Sequence, residues 1–276
     1  MLKIPVNSYS LLSYFYAGKD KMQMKTKGFT LIELLVVIAI IAVLMAILFP
    51  SLRAAKDHAK RIHCVSNVKT LALAWFMYAE DNDDKLVGGR TDNRWDWVGP
   101  VPGGQVPIEE KKDAIRDGAL FPYVSKTIDV YRCPADMRKK QPQMNSFRSY
   151  SIVGGANGEW SEPIKATRYS DIKRPAFKYV FVEETDPRGY NVNSWVMNVQ
   201  SKSWIDPLAI WHNKQSTLGF ADGHAEMHRW VNQSTIDWCH TSFYEPSHFN
   251  FGMTPPANEQ EDVEYMARHF ACKSVK

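Results

Sequence analysis

Hydrophobic and polar positions divide the chain into three regions. Between Leu34 and Phe49, sixteen consecutive residues carry no polar side chain, and extension back to Phe29 gives a run of 21 broken only by Thr30 and Glu33. As a helix this run spans about 30 Å, the hydrocarbon thickness of a bilayer. A buried core helix rarely stays apolar on all sides for so long. A secretory signal fits poorly, because Phe49-Pro50-Ser51-Leu52 offers no small-x-small cleavage site. The pattern then changes. Leu52, Ala55, Ala59, Ile62, Val65, Val68, Leu71, Trp75 and Tyr78 recur every three or four residues, with Arg53, Lys56, Asp57, Lys60, Arg61 and Lys69 off that stripe. This predicts an amphipathic continuation of the same helix, ending in Asp81-Asn82-Asp83-Asp84. From Phe29 to Asn82 the whole would measure about 80 Å.

Beyond the helix the periodicity shortens. Residues 85–107 are rich in Gly, Pro and Trp and read as a loop. Glu109–Asp117 reads as a short helix ending at Gly118. Thr127–Arg132, Ser146–Val153, Lys178–Glu183 and Asp206–Trp211 read as strands. Asp222-Gly223, between alternating runs, predicts a two-residue type I′ hairpin turn, which places Phe220 opposite Ala225 and Leu218 opposite Met227. Residues 233–276 read as a loop-rich tail with a short helix near 259–270.

Charge sharpens the membrane reading. Residues 1–28 carry five Lys and one Asp, whereas the remaining 248 residues balance 29 basic against 29 acidic side chains. The net charge of +4 therefore lies just before the apolar segment and does not indicate nucleic-acid binding. Basic residues ahead of a membrane segment keep the N-terminus cytoplasmic and send the C-terminal bulk across. At 45% apolar and 23% charged residues, the chain is not wholly disordered.

The string Lys27-Gly28-Phe29-Thr30-Leu31-Ile32-Glu33-Leu34-Leu35-Val36-Val37-Ile38-Ala39-Ile40-Ile41 resembles the N-terminus of type IV prepilins and type II secretion pseudopilins. The resemblance implies cleavage after Gly28 by a prepilin peptidase and N-methylation of Phe29. It implies that Glu33 pairs with the N-terminal amine of a neighbouring subunit during assembly, and that Pro50 bends the helix. The leader is long for that family, so Met22 and Met24 stand beside Met1 as start sites. His212, nine intervening residues and then Asp222-Gly223 is similar to a His-x9-Asp-Gly element of a large pseudopilin-like family, as is the Cys133-Pro134-Ala135-Asp136 segment. That family also implies a Cys64–Cys133 disulfide, with free buried thiols as the alternative.

The expected fold is α+β and pilin-like, a long helix packed on a mostly antiparallel sheet with loop-rich insertions. Its parts are a leader at 1–28, a membrane and assembly helix at 29–50, an amphipathic continuation at 51–84, a β-rich extracytoplasmic domain at 85–232 and a tail at 233–276. The expected location is a bacterial inner membrane, crossed once, or a filament. The expected partners are the prepilin peptidase, other pilin or pseudopilin subunits and the membrane, with no nucleic acid. Two further chemistries stay open. His224, Glu226 and His228 share one strand face and offer zinc-type ligands. Glu183, Glu184, Asp186 and Asp222 could supply the oxygen ligands of a calcium ion. No phosphate loop or nucleophile elbow is present, so the expectation is a structural subunit and not an enzyme. The alternative is a membrane-tethered metal-dependent enzyme or ligand-binding module that uses the same export route.

Overall fold

A computed structural model describes residues 29–103, 106–140 and 146–273. The expected leader, Gly28 included, lies outside them. The chain divides into two units, at Ser51 and Leu52.

Helix α1 runs unbroken from Leu31 to Asp81, with Pro50 inside it. Its start follows from the sequence: the Thr30 hydroxyl accepts the Glu33 amide at 3.2 Å, while Glu33 Oε2 accepts the Thr30 amide at 2.9 Å and the Thr30 hydroxyl at 2.8 Å. This reciprocal capping satisfies helix-terminal donors that otherwise lack partners. The helix ends where Asp83 and Asp84 take positive φ values of 55° and 67°.

All residues from Phe29 to Ala59 are exposed. The N-terminal members of the predicted stripe, Leu52, Ala55, Ala59 and Ile62, therefore lie outside the core. Burial begins at Cys64 and continues through Asn67, Val68, Leu71, Ala72, Ala74, Trp75 and Ala79.

Three shorter helices follow: α2 (Ile108–Arg116), α3 (Gln233–Tyr244) and α4 (Glu261–His269). The strands are β1 (Tyr150–Ile152), β2 (Tyr179–Glu183), β3 (Met197–Asn198), β4 (Ser203–Trp204), β5 (Gln215–Phe220) and β6 (Ala225–Arg229). Four of them form an antiparallel sheet in the order β1-β2-β5-β6, and β3 pairs with β4 separately. This is an α+β fold, as the pattern predicts.

Register places Tyr150 opposite Glu183, Ile152 opposite Phe181, and Phe181 opposite Gly219. With side chains alternating along each strand, Tyr150, Glu183 and Thr217 fall in one row across three strands. The C-terminal part of α1 lies over that face: a Cβ added at Gly219 would stand 2.6 Å from Val68 Cγ1. The absence of a side chain at Gly219 lets helix and sheet meet.

Four expectations are corrected. Thr127–Arg132 is not a strand, because Ile128–Tyr131 winds into a short 3-10 turn. Asp206–Trp211 is irregular, joined to the sheet by one bridge between Leu208 and Glu184. The hairpin turn is one residue longer than expected. Gly223 donates to the Phe220 carbonyl at 3.0 Å and Phe220 to that of His224 at 2.8 Å, and only Gly223 has positive φ (93°). This is the three-residue loop whose last position is left-handed. It pairs Gly219 with Ala225, Leu218 with Glu226 and Thr217 with Met227.

The tail, finally, is part of the core. Val263, Met266, Phe270, Ala271 and Cys272 are buried with Tyr179, whose hydroxyl donates to the Met266 carbonyl at 2.9 Å.

Candidate functional site

Two features stand out, one in each unit. The first is the exposed apolar start of α1. Phe29 is 67% exposed, and the apolar residues that follow, up to Phe49, are exposed with it. Among the described residues one helix is long and apolar enough to cross a membrane, and none of its most apolar window is buried. Glu33 stands at the third position of this helix with its carboxylate turned back to Thr30. The Thr-x-x-Glu spacing signals this cap, a role separate from the assembly role that the resemblance implies for Glu33.

The second feature is a buried polar cluster where α1 enters the core. Cys64 comes from the helix, Glu183 from the end of β2, Cys133 from the Cys-Pro-Ala-Asp loop and His212 from the turn before β5. All four are buried, and one ligand-type atom of each lies within 4.8 Å of the others. The Cys64 thiol donates to Glu183 Oε1 at 2.9 Å. His212 Nε2 lies 3.3 Å from the same oxygen and 3.2 Å from Cys133 Sγ. The second carboxylate oxygen, Oε2, accepts the Thr217 amide at 2.7 Å. The Thr217 hydroxyl donates to Cys64 Sγ at 3.1 Å, and Tyr150 Oη stands 3.2 Å from the same sulfur.

Burial disfavours an imidazolium at His212, but the Glu183 carboxylate and Cys64 together outweigh it and hold the imidazole up, at about 10. Burial, followed by the neighbouring Cys64 and Glu183, pushes the Cys133 thiol up.

The loop that supplies Cys133 is fixed from behind. The Cys133 amide donates to Ser149 Oγ at 3.0 Å, and Ser149 donates to Asp136 Oδ2 at 2.6 Å. Asp136 is fully buried against Arg138, whose Nη2 lies 2.9 Å away. Burial alone would raise the Asp136 carboxyl; Arg138 and Ser149 reverse that and hold it low.

The opposite face of β2 carries a separate set of charges. Glu184 accepts from Ser151, which also takes a hydrogen bond from Arg148 at 2.6 Å. Burial, with Asp206 and Asp186 nearby, pushes the Glu184 carboxyl up to about 8.

The structure divides the sequence candidates. His212 joins the cluster, whereas Asp222 turns to His224 Nδ1 at 2.5 Å and Gly223 shapes the hairpin. The two halves of His-x9-Asp-Gly therefore mark opposite ends of β5. Cys64 and Cys133 meet as expected, but as two free thiols and not as a disulfide.

His224, Glu226 and His228 do not converge. His224 stacks on Phe220 with ring centroids 4.3 Å apart, His228 on Tyr265 at 3.9 Å, and Glu226 accepts from the Tyr265 hydroxyl at 3.1 Å. Glu183 and Glu184 point to opposite faces of β2, and Asp222 sits at the hairpin turn, so these acids form no shared oxygen site. Among the described residues, the Cys64, Cys133, Glu183 and His212 group is the one with metal-binding geometry.

Tyr150, Thr217 and Glu183 as a partner of Cys64 were not anticipated. The available signal was a Glu closing the apolar run Tyr-Val-Phe-Val-Glu in phase with Tyr179 and Phe181.

Comparison with known proteins bears on the first feature. Residues 23–49 match the prokaryotic N-terminal methylation motif. The chain is 47% identical over 57 residues to the type IV wide pilus major component PilA4 of Thermus thermophilus, a span of 21% of this chain and 44% of that protein. It is 43% identical over 58 residues to type II secretion system core protein G of Escherichia coli, and 41% identical over 59 residues to the protein of the same name in Pectobacterium carotovorum. These spans cover 21% of this chain and 40% and 38% of the two relatives. The chain thus spans about two fifths of the length of the curated relatives it matches. No solved structure matches it. The N-terminal segment is thus similar to those of pilins and pseudopilins, and the described part of the matched motif, from Phe29, leads into an exposed apolar helix.

Proposed function

We propose that the chain is a structural subunit of a type II secretion or type IV pilus-like system, cleaved after Gly28, methylated on Phe29 and assembled with other pilin or pseudopilin subunits through α1. The observation that carries this reading is the methylation motif at residues 23–49, whose described part leads into a helix with its apolar side chains exposed from Leu31 to Phe49 among the described residues. Such a surface is stable in a bilayer or against other copies of the same helix, and costly in water. The proposed topology keeps the N-terminus cytoplasmic, before the first membrane-crossing residue, and places residues 52–276 on the far side.

A catalytic role is the weaker reading. Cys133 and His212 stand at nucleophile–base distance, 3.2 Å. Both are buried, and the thiol is pushed up where an activated cysteine is pulled down.

Processing is tested by N-terminal mass spectrometry of the membrane-extracted chain. The expected terminus is N-methylated Phe29, and a different mature terminus refutes the reading. Assembly is tested by crosslinking in intact membranes, wild type against Glu33→Gln at matched expression. The neutral side chain leaves insertion and cleavage intact and removes the partner of the Phe29 amine. Shorter crosslinked ladders are expected, and equal ladders refute the assembly role.

A further inference from the structure

We propose that Cys64, Cys133, His212 and Glu183 together bind one zinc ion in a buried tetrahedral site that ties α1 to the sheet. The ligand set is two thiols, one imidazole and one carboxylate, drawn from four separate segments. Structural zinc is four-coordinate and takes these donor types. With metal–ligand bonds of about 2.0–2.3 Å, neighbouring ligands of a tetrahedron stand about 3.3–3.8 Å apart. The observed separations are 2.9 Å for Cys64 to Glu183, 3.2 Å for Cys133 to His212 and 3.3 Å for His212 to Glu183. These three pairs need to part by only a few tenths of an ångström to admit the ion, and the remaining pairs lie within 4.8 Å.

The surroundings suit the charge that results. Two thiolates and one carboxylate around a divalent cation leave one net negative charge. Hydrogen-bond donors already aim at it. The Thr217 amide reaches Glu183 Oε2 at 2.7 Å and so leaves Oε1 to face the centre. The Thr217 hydroxyl and the Tyr150 hydroxyl reach Cys64 Sγ, and the Ala135 amide reaches Cys133 Sγ at 3.3 Å. Such outer partners orient ligands and raise metal affinity.

The donor types also choose the metal. Soft thiolates exclude calcium and magnesium as the preferred ions, and a tetrahedral sulfur-rich set favours zinc. On binding, each cysteine loses its thiol proton to solvent and forms one S–Zn bond, and the His212 imidazolium loses its Nε2 proton to solvent and binds as neutral imidazole through that nitrogen. A site this enclosed fills as the domain folds, so the metal becomes part of the folding free energy.

The test uses the full chain, extracted in detergent under reducing conditions. Zinc is measured by plasma mass spectrometry after incubation with the ion and dialysis. One zinc per chain is expected, with retention reduced to about a tenth or less in Cys133→Ser. Tyr150→Phe keeps the packing and removes only an outer donor, so chelator competition should show zinc affinity about 10–100-fold weaker. Should Cys133→Ser fail to fold, cobalt loading of the wild-type chain decides. A thiolate-to-cobalt charge-transfer band supports the site, and its absence overturns it. Wild-type protein that retains less than about a tenth of a zinc per chain overturns the proposal. So does a chain isolated without reductant whose Cys64 and Cys133 are joined in a disulfide that zinc and reductant together fail to replace with a metal site.

Discussion

Gly219 carries the contact on which the second unit is built, and a single methyl group tests it. In Gly219→Ala the new Cβ would lie 2.6 Å from Val68 Cγ1, 3.2 Å from Phe181 Cβ and 3.4 Å from the Val68 carbonyl oxygen. Ordinary carbon–carbon contact is about 3.5–4.0 Å, so helix and strand must part by about 1 Å. Val68 cannot turn aside, because a β-branched side chain in a helix has one strongly preferred rotamer. Overpacking of this kind costs about 1–3 kcal/mol. Loss of glycine's freedom in the unfolded chain returns about 0.4–1 kcal/mol. The net cost is about 1–2 kcal/mol, which lowers Tm by about 2–8 °C for a domain of this size.

The measurement is thermal unfolding of the detergent-solubilised chain followed by tryptophan fluorescence, since Trp75, Trp97, Trp195, Trp204 and Trp230 are buried in this unit. A double-mutant cycle isolates the contact. Val68→Ala alone costs about 1–3 kcal/mol through its cavity. In the pair the methyl group introduced by Gly219→Ala occupies that cavity, so the combined cost should fall at least about 1 kcal/mol short of the sum. A Gly219→Ala chain that melts like the parent, or strict additivity in the pair, refutes the close packing of α1 on β5.

Three further outcomes follow from the same coordinates. Gly223→Val should cost about 1–3 kcal/mol, because φ is 93° there and a Cβ would stand 2.6 Å from Leu73 Cδ2; an unchanged melt would contradict the turn. Burial, then His269, pulls His228 down to about 4, so the folded state resists its protonation and stability should fall by about 2–3 kcal/mol as pH drops from 6.5 towards 4; His228→Gln should flatten that slope in urea titrations at several pH values. Glu184 has the opposite sign: its folded-state value, raised to about 8, makes its contribution complete below about 4.5 and lost as pH rises through 8, so Glu184→Gln should gain up to about 4 kcal/mol on the wild type between pH 5 and pH 8.5, and a constant difference would argue against a neutral buried carboxyl.

Period carried most of what the sequence could reveal. The repeat of three and four residues found the C-terminal half of α1 through Val68, Leu71 and Trp75, and alternation found β1, β2, β5 and β6 to within a few residues. It missed α3 because the buried stripe of that helix is Thr235, Ile236, Cys239, Ser242 and Phe243, helical in spacing but half polar in composition. It misread Thr127–Arg132 because a single tight turn also alternates. The hairpin register failed for a tertiary reason. Asp-Gly fits either a two- or a three-residue loop; the longer one pairs Gly219 with Ala225, and Gly219 is the β5 residue that meets Val68. The methylation motif was legible because it is local, within residues 23–49. Chemistry that joins distant segments was illegible: nothing in sequence order relates Glu183 to Cys64, 119 positions apart.

The cysteine cluster lies where α1 enters the core of the second unit. Cys64 is the first buried residue of α1, so it marks where the helix leaves the core of the second unit. Apolar packing such as that of Val68, Leu71 and Trp75 resists separation but has no preferred direction along the helix axis. Hydrogen bonds and metal–ligand bonds do have direction, and the bonds that Cys64 makes with Glu183, Thr217 and Tyr150 span three neighbouring strands. Polar groups with a desolvation cost sit where a hydrophobic contact would be easier to build. At the exit of the helix from the core, these directional bonds fix the axial position of the C-terminal part of α1 against the sheet.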